Sequence, residues 1–405
     1  MNNGMKKLSL LVFTIWIAIS LSAQSSDNFY VKGRAELLKG NYENAVVSLS
    51  DAIDHNNSDE RYYLNRAEAY RKLGRNSQAL DDFEEANNLL PGCGDLGIAK
   101  ISAATGDNGK AFQYLTSHLR SAFRLPESVL TKDPALDPIK PSDEWLALWQ
   151  QDWYDDFDKT RVEVDYLVRK QTPEAALDYL NPLMLTFKDK ADYFALRAGL
   201  YMMQDNYAAA LVDYSMALSL DKNKPEYYFG RGEAFLRSEK FKNAVDDFSK
   251  GLRMEPAQFE YYLERAKASS GLEDYKSAIG DAGFYIGLFP EDQKAISLCG
   301  ELCYLNEDYI NALKYFNQNI KADPDNADYY KARGKTYLKT KTYTYAINDL
   351  SMSLDLKPDD GDTWLYLGLA KFETGDKEAA CSCLRKAQHY GNTLALKYII
   401  EYCGN

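Results

Sequence analysis

Residues able to do chemistry are present in this chain, but they stand apart from one another. The three histidines, His55, His118 and His389, are far apart in sequence, and their surroundings suggest neither a nucleophile, base and orienting acid set nor a shared metal site. The acidic run Asp359-Asp360-Gly361-Asp362 lacks the glutamate and the spacing of a calcium loop. Glycines are dispersed instead of being gathered into a phosphate cradle. Neither catalysis, a cofactor nor a metal is expected. A row of arginines, Arg66, Arg197, Arg231, Arg265 and Arg333, could in principle hold anions, but each is followed 16 residues later by Asp82, Asp213, Asp247, Asp281 or Asp349. Where Lys32, Cys299 or Leu367 replaces the arginine, Ser48, Tyr315 or Cys383 replaces the aspartate. This coupled loss predicts a structural ion pair within each unit, the guanidinium forked onto the carboxylate with little charge left for a ligand.

The elements that must position these pairs follow from a period. Alanine recurs at Ala176, Ala210, Ala244, Ala278, Ala312, Ala346 and Ala380, each 34 residues after the last, and again at Ala45 and Ala79. A fixed period of this length marks a small supersecondary unit stacked on copies of itself. With this alanine as position 20, position 8 is small in the clear units, as at Gly33, Ala67, Gly232, Gly300, Gly334 and Gly368. Aromatic residues recur at position 4 (Phe29, Tyr63, Tyr228, Trp364) and at position 24 (Phe83, Tyr214, Phe248, Phe316). Spacings of three and four put these residues on helix faces. Their small members allow two helices to approach closely, and proline at Pro91, Pro256, Pro290, Pro324 and Pro358 ends each second helix.

This pattern of aromatic, Gly, Tyr, Ala, Phe, Ala and Pro, followed for example in 225–258, resembles the tetratricopeptide repeat family over roughly three quarters of the chain. The resemblance implies an all-α fold, a right-handed α-solenoid of antiparallel helix pairs with a 34-residue period. Tyrosine, with 31 copies, is then scaffold before it is ligand surface.

At the N-terminus, Lys6 and Lys7 precede an apolar run from Leu8 to Leu21, the layout of a secretory signal peptide over 1–23. Removing it leaves 46 basic against 60 acidic residues, with the two signs interleaved, which disfavours nucleic acid as a partner. No further transmembrane span is expected, and the protein is expected to be periplasmic, outer-membrane-associated or secreted. Two clear units and a degenerate one form an N-terminal block at 26–124. A Pro/Trp-rich connecting segment follows at 125–156, with Trp145, Trp149 and Trp153 at intervals of four on one helix-like face; it reads either as a capping helix or as an exposed aromatic surface. One weak and six clear units make a C-terminal block at 157–391, and 392–405 read as a capping helix. In an oxidising compartment Cys403 on that helix is expected to pair with Cys381, while Cys299 and Cys303 read as small buried thiols.

The family resemblance implies that positions 2, 5, 9, 12 and 13 line a concave groove. Here they include Phe229, Glu233, Leu236, Leu263, Lys267, Lys331, Lys335, Leu338, Leu365 and Phe372. The family's carboxylate clamp is only partly matched, since Ser297 with Glu301 and Leu263 with Lys267 precede the lysine pair. Together these features point to a non-enzymatic interaction scaffold of the bacterial envelope that binds a protein or peptide along the groove. The alternative is a surface protein binding a small ligand or glycan, which an exposed tryptophan face would favour. Nothing in the sequence marks an oligomeric state.

Overall fold

A computed structural model describes residues 26–404, so the leader read at 1–23 lies outside the described residues. Every regular element among the described residues is a helix, and consecutive helices pack as hairpins. The period is visible in the geometry. Second helices begin at Tyr207, Phe241, Tyr275, Tyr309, Tyr343 and Lys377, each 34 residues after the one before.

Local chemistry sets each hairpin. The turn places one residue in the left-handed region: glycine at Gly40, Gly74, Gly106 and Gly375, but Asp205, Glu239, Glu273, Glu307 and Lys341 in the other copies. The next residue caps the second helix, and the side chains of Asp107, Asn206, Asp274, Asp308 and Asp376 accept from backbone N–H groups of its first turn. Between the two helices, small residues meet large ones at a constant offset of 16. A Cβ added at Gly300 would lie 2.7 Å from Phe316, and one at Gly334 would lie 2.8 Å from Leu350. The repeated alanines, from Ala45 to Ala380, are fully buried at these contacts.

The chain divides into two compact units, Met1–Ala234 with Lys250–Gln258, and Phe235–Ser249 with Phe259–Asn405. Within the first, Arg61 donates to the Met254 carbonyl at 2.9 Å and to Glu255 at 3.1 Å, and the Tyr30 hydroxyl donates to Glu255 at 3.2 Å. These bonds tie the N-terminal hairpins to the segment at 250–258. His118 is a buried strut: its Nε2 accepts from the Leu125 N–H at 3.1 Å, and burial pushes its imidazole down to about 4.

The tryptophan stretch corrects the sequence reading. Its helix runs only from Asp143 to Leu148, and Trp149 is the C-cap. Trp145, Trp149 and Trp153 therefore do not share one helical face. Trp145 is buried, whereas Trp149 and Trp153 are half-buried, packed at the edge of an aliphatic cluster around Leu115, Leu136 and Ile139. The bond from Trp153 Nε1 to the Leu148 carbonyl at 2.7 Å holds the departing chain against the helix end.

In the second unit the helix Ala395–Cys403 packs on the hairpin before it, against the side on which a following repeat would stack. Ala395, Tyr398, Ile399 and Tyr402 cover Leu365, Leu384 and Ala387. A Cys381–Cys403 disulfide, with Cα atoms 5.8 Å apart, ties this helix to the hairpin.

Candidate functional site

Two first helices of consecutive repeats, Gln293–Leu305 and Ala327–Lys339, flank a cleft of about 640 Å³ in the second unit. Side chains three and four residues apart share a helix face, so Ser297, Glu301 and Tyr304 on one helix confront Asp328, Lys331 and Lys335 on the other across this cleft.

The two lysines differ sharply. Lys331 is spoken for, since its Nζ lies 2.8 Å from Asp328 and 2.9 Å from Asp360. Burial opposes its charge, yet these two carboxylates hold its pKa above the ordinary lysine range. Asp360 in turn caps the helix Gly361–Glu373 through the Asp362 N–H and accepts from Thr363 Oγ1 at 2.8 Å. Lys335 has no hydrogen bond and no ion pair among the described residues. Its ammonium sits between two rings, 5.1 Å from the centre of Tyr304 and 5.3 Å from that of Tyr366. Burial lowers its pKa, and the field of Glu301 only partly offsets this. Glu301 reaches solvent, but the cleft walls crowd its carboxyl enough to push its pKa up. The cleft thus presents a half-buried cation held only by ring faces, with an anion in its neighbourhood that does not pair with it directly. Such a cation gains from an arriving carboxylate because part of its desolvation cost is already met.

Of the ten groove candidates, Lys331 and Lys335 line this cleft. Phe229 and Leu365 do not line a groove at all: both are buried, Phe229 against the backbone of Gly251 and Leu365 beneath the terminal helix. Phe372 is covered by Tyr402, with ring centres 3.7 Å apart and planes 8° from parallel. Its position, like those of the lysines, belongs to the expected groove, but the helix Ala395–Cys403 lies over this end. Lys267 is paired with Glu264 at 2.6 Å on its own helix. Leu263 and Leu338 pack against core clusters, and Glu233 and Leu236 are half-buried outside the cleft. Sequence reading missed Tyr304 and Tyr366, although Tyr304 shares its register position with Leu338 and Phe372.

The arginine row is built into the scaffold. Arg66, Arg197, Arg265 and Arg333 each donate through Nε and Nη2 to both oxygens of Asp82, Asp213, Asp281 and Asp349, at 2.6 to 2.8 Å. A second set of bonds was not anticipated. The Nη1 of Arg66, Arg231, Arg265 and Arg333 reaches back 16 residues to Ser50, Ser215, Ser249 and Asn317 on the preceding hairpin. Asp247 is buried. Each of these arginines therefore also joins consecutive repeats. Among the described residues no group of three or more His, Cys, Asp or Glu is placed to hold a metal ion, and no helix is long and apolar enough to cross a membrane.

Stacked hairpins with this period and a cleft on their first helices define a helical-repeat solenoid. Fold and register together are those of tetratricopeptide repeat proteins, which the chain resembles. Residues 21–101 also match the model of the bacterial transcriptional activator domain. Curated relatives include serine/threonine-protein phosphatase 5 of Homo sapiens, 42% identical over 50 residues, which are 12% of this chain and 10% of the relative. The heat shock protein sti1 homolog of Schizosaccharomyces pombe is 33% identical over 98 residues, 24% of this chain and 17% of that one. The chain thus spans between a tenth and about a quarter of the length of the curated relatives it matches. Among solved structures, the tetratricopeptide repeat protein YrrB, described as having an unusual peptide-binding site, is 24% identical with a TM-score of 0.41, over 45% of this chain and 95% of that one. A tetratricopeptide repeat protein from Parabacteroides merdae is 19% identical with a TM-score of 0.48, over 62% and 99%.

Proposed function

We propose that this chain is a non-enzymatic interaction scaffold that holds an extended peptide segment of a partner protein in the cleft between Gln293–Leu305 and Ala327–Lys339. The observation that carries this reading is Lys335, a half-buried ammonium with two tyrosine rings and no anion in contact. An acidic side chain of the segment pairs with it, while Ser297 and Asn326 supply polar contacts from the two facing walls. Lys331 cannot take that role, because Asp328 and Asp360 already neutralise it. Export to the bacterial envelope belongs to the same proposal and rests on the Lys6 to Leu21 pattern.

An array of immobilised decapeptides probed with the purified chain tests it. Peptides carrying an acidic residue are expected to be retained over their amide counterparts. Lys335→Gln removes that preference, while Lys267→Gln, at a lysine outside the cleft, leaves it intact. Retention of no peptide, or a preference indifferent to Lys335, overturns the reading.

A further inference from the structure

A second cleft, of about 510 Å³, lies in the first unit where the chain leaves the helix Asp143–Leu148. It is independent of the peptide reading. Its volume is in the range in which proteins hold small organic ligands. Trp149, Trp153 and Tyr154 contribute rings to its wall. Two of them have their polar ends turned to the backbone, Trp153 Nε1 donating to the Leu148 carbonyl at 2.7 Å and the Tyr154 hydroxyl to the Leu125 carbonyl at 2.8 Å. Rings fixed in this way lose little freedom when a ligand arrives. Trp149 packs edge-on against Trp145, with centres 5.4 Å apart, and its own N–H is buried with no acceptor among the described residues.

Two of the three carboxylates of the cleft are matched, and Glu127, exposed at its rim, has no ion pair among the described residues. Asp158 takes Arg124 at 2.6 Å, and Asp152 takes Lys159 at 2.9 Å. A cationic ligand is disfavoured further because the Arg120 guanidinium already lies over the Trp153 ring at 5.8 Å, where a second cation meets like charge. Carboxylates in ion pairs still have lone pairs free for hydroxyl donors, and Gln151 adds an amide to the same wall. What suits these walls is an uncharged molecule with C–H faces for the rings and hydroxyls for the carboxylates and amide. We propose that this cleft binds a neutral oligosaccharide, one sugar face lying against Trp153 and its hydroxyls held by Asp152 and Gln151.

Intrinsic tryptophan fluorescence and calorimetry on the purified chain, titrated with maltopentaose, cellopentaose, laminaripentaose and chitopentaose, decide the matter. Saturable binding of at least one of these sugars is expected. Gln151→Ala and Asp152→Ala, both at exposed positions, weaken it by about tenfold, the loss of one hydrogen bond, with helix content unchanged. Trp153→Ala abolishes it. The proposal fails if none of the four sugars gives a saturable signal, if the exposed-position variants bind as the parent does, or if tetramethylammonium saturates the cleft where the sugars do not.

Discussion

The guanidinium of Arg265 grips the carboxylate of Asp281 with two bonds, at 2.8 and 2.7 Å, across the two helices of a single hairpin. Its remaining nitrogen, Nη1, donates at 3.1 Å to Ser249 on the hairpin before. One side chain thus fixes both the closure of a repeat and its seating on its neighbour. In the corresponding pair of the first unit, burial raises the Asp82 carboxyl against the pull of Arg66. Desolvation there offsets most of the attraction, so the intact pair contributes little net stability while a broken one is costly.

Asp281→Ala is accordingly expected to lower stability by about 3 kcal/mol, because it leaves a partly buried guanidinium unpaired. Ser249→Ala costs about 1.5 kcal/mol, the worth of a hydrogen bond to a charged group. Urea denaturation of Arg265→Ala, Asp281→Ala and the double variant should give a coupling energy well above experimental error. Additive losses would show that the two side chains act separately.

Glu273 sits at φ 60°, a conformation in which its Cβ is crowded, whereas the equivalent residue of the final hairpin is Gly375 at φ 86°. Glu273→Gly relieves that crowding and is expected to stabilise by roughly 0.5 to 1 kcal/mol, net of the extra entropy of the unfolded glycine. A thermal midpoint that falls on this substitution would contradict the assignment.

Acid should act on the protein partly through His118. Its folded-state pKa of about 4, against an ordinary 6.5, means that the unfolded imidazole takes up a proton first as pH falls. The stabilising contribution is fully present above pH 6.5 and is lost as pH drops through the interval down to about 4. At 1.36 kcal/mol per unit the loss is about 3 kcal/mol. His118→Gln, which keeps an acceptor for the Leu125 N–H, should show a flatter stability profile over that interval. An unchanged profile would place the acid sensitivity elsewhere.

Asn319 is fully buried, and neither its amide oxygen nor its nitrogen has a hydrogen-bond partner among the described residues. The same register position is alanine at Ala52, Ala86, Ala217 and Ala387. Replacing Asn319 with Ala removes the desolvation cost of an unsatisfied amide and leaves only a small void, so a gain of about 1 kcal/mol is expected. Destabilisation in chemical denaturation would imply that a buried water serves the amide.

How much of this was legible beforehand depended on whether a feature repeats. Ala244 and Ala278, Gly300 and Gly334, and the Arg265 and Asp281 partnership could be read because a solenoid places the same local environment at every 34th residue, so copies vouch for one another. Features occurring once had no such support. The arginine's bond to the preceding hairpin was hidden because Ser249 and Asn317 are unremarkable residues until two repeats are stacked. Trp149 and Trp153 kept helical spacing although the helix stops at Leu148; the pattern of spacing cannot register where the backbone departs.

The sequence by itself determined the hairpin, its period and the register on which a groove could form, since these depend on contacts within about one repeat of each other along the chain. Only the tertiary structure decided which groove positions are open. Phe372 and Lys335 sit at equally plausible positions, but Tyr402 stacks on the first while the second is left between Tyr304 and Tyr366. Burial of a side chain depends on what the following element lays over it, and local periodicity carries no information about that.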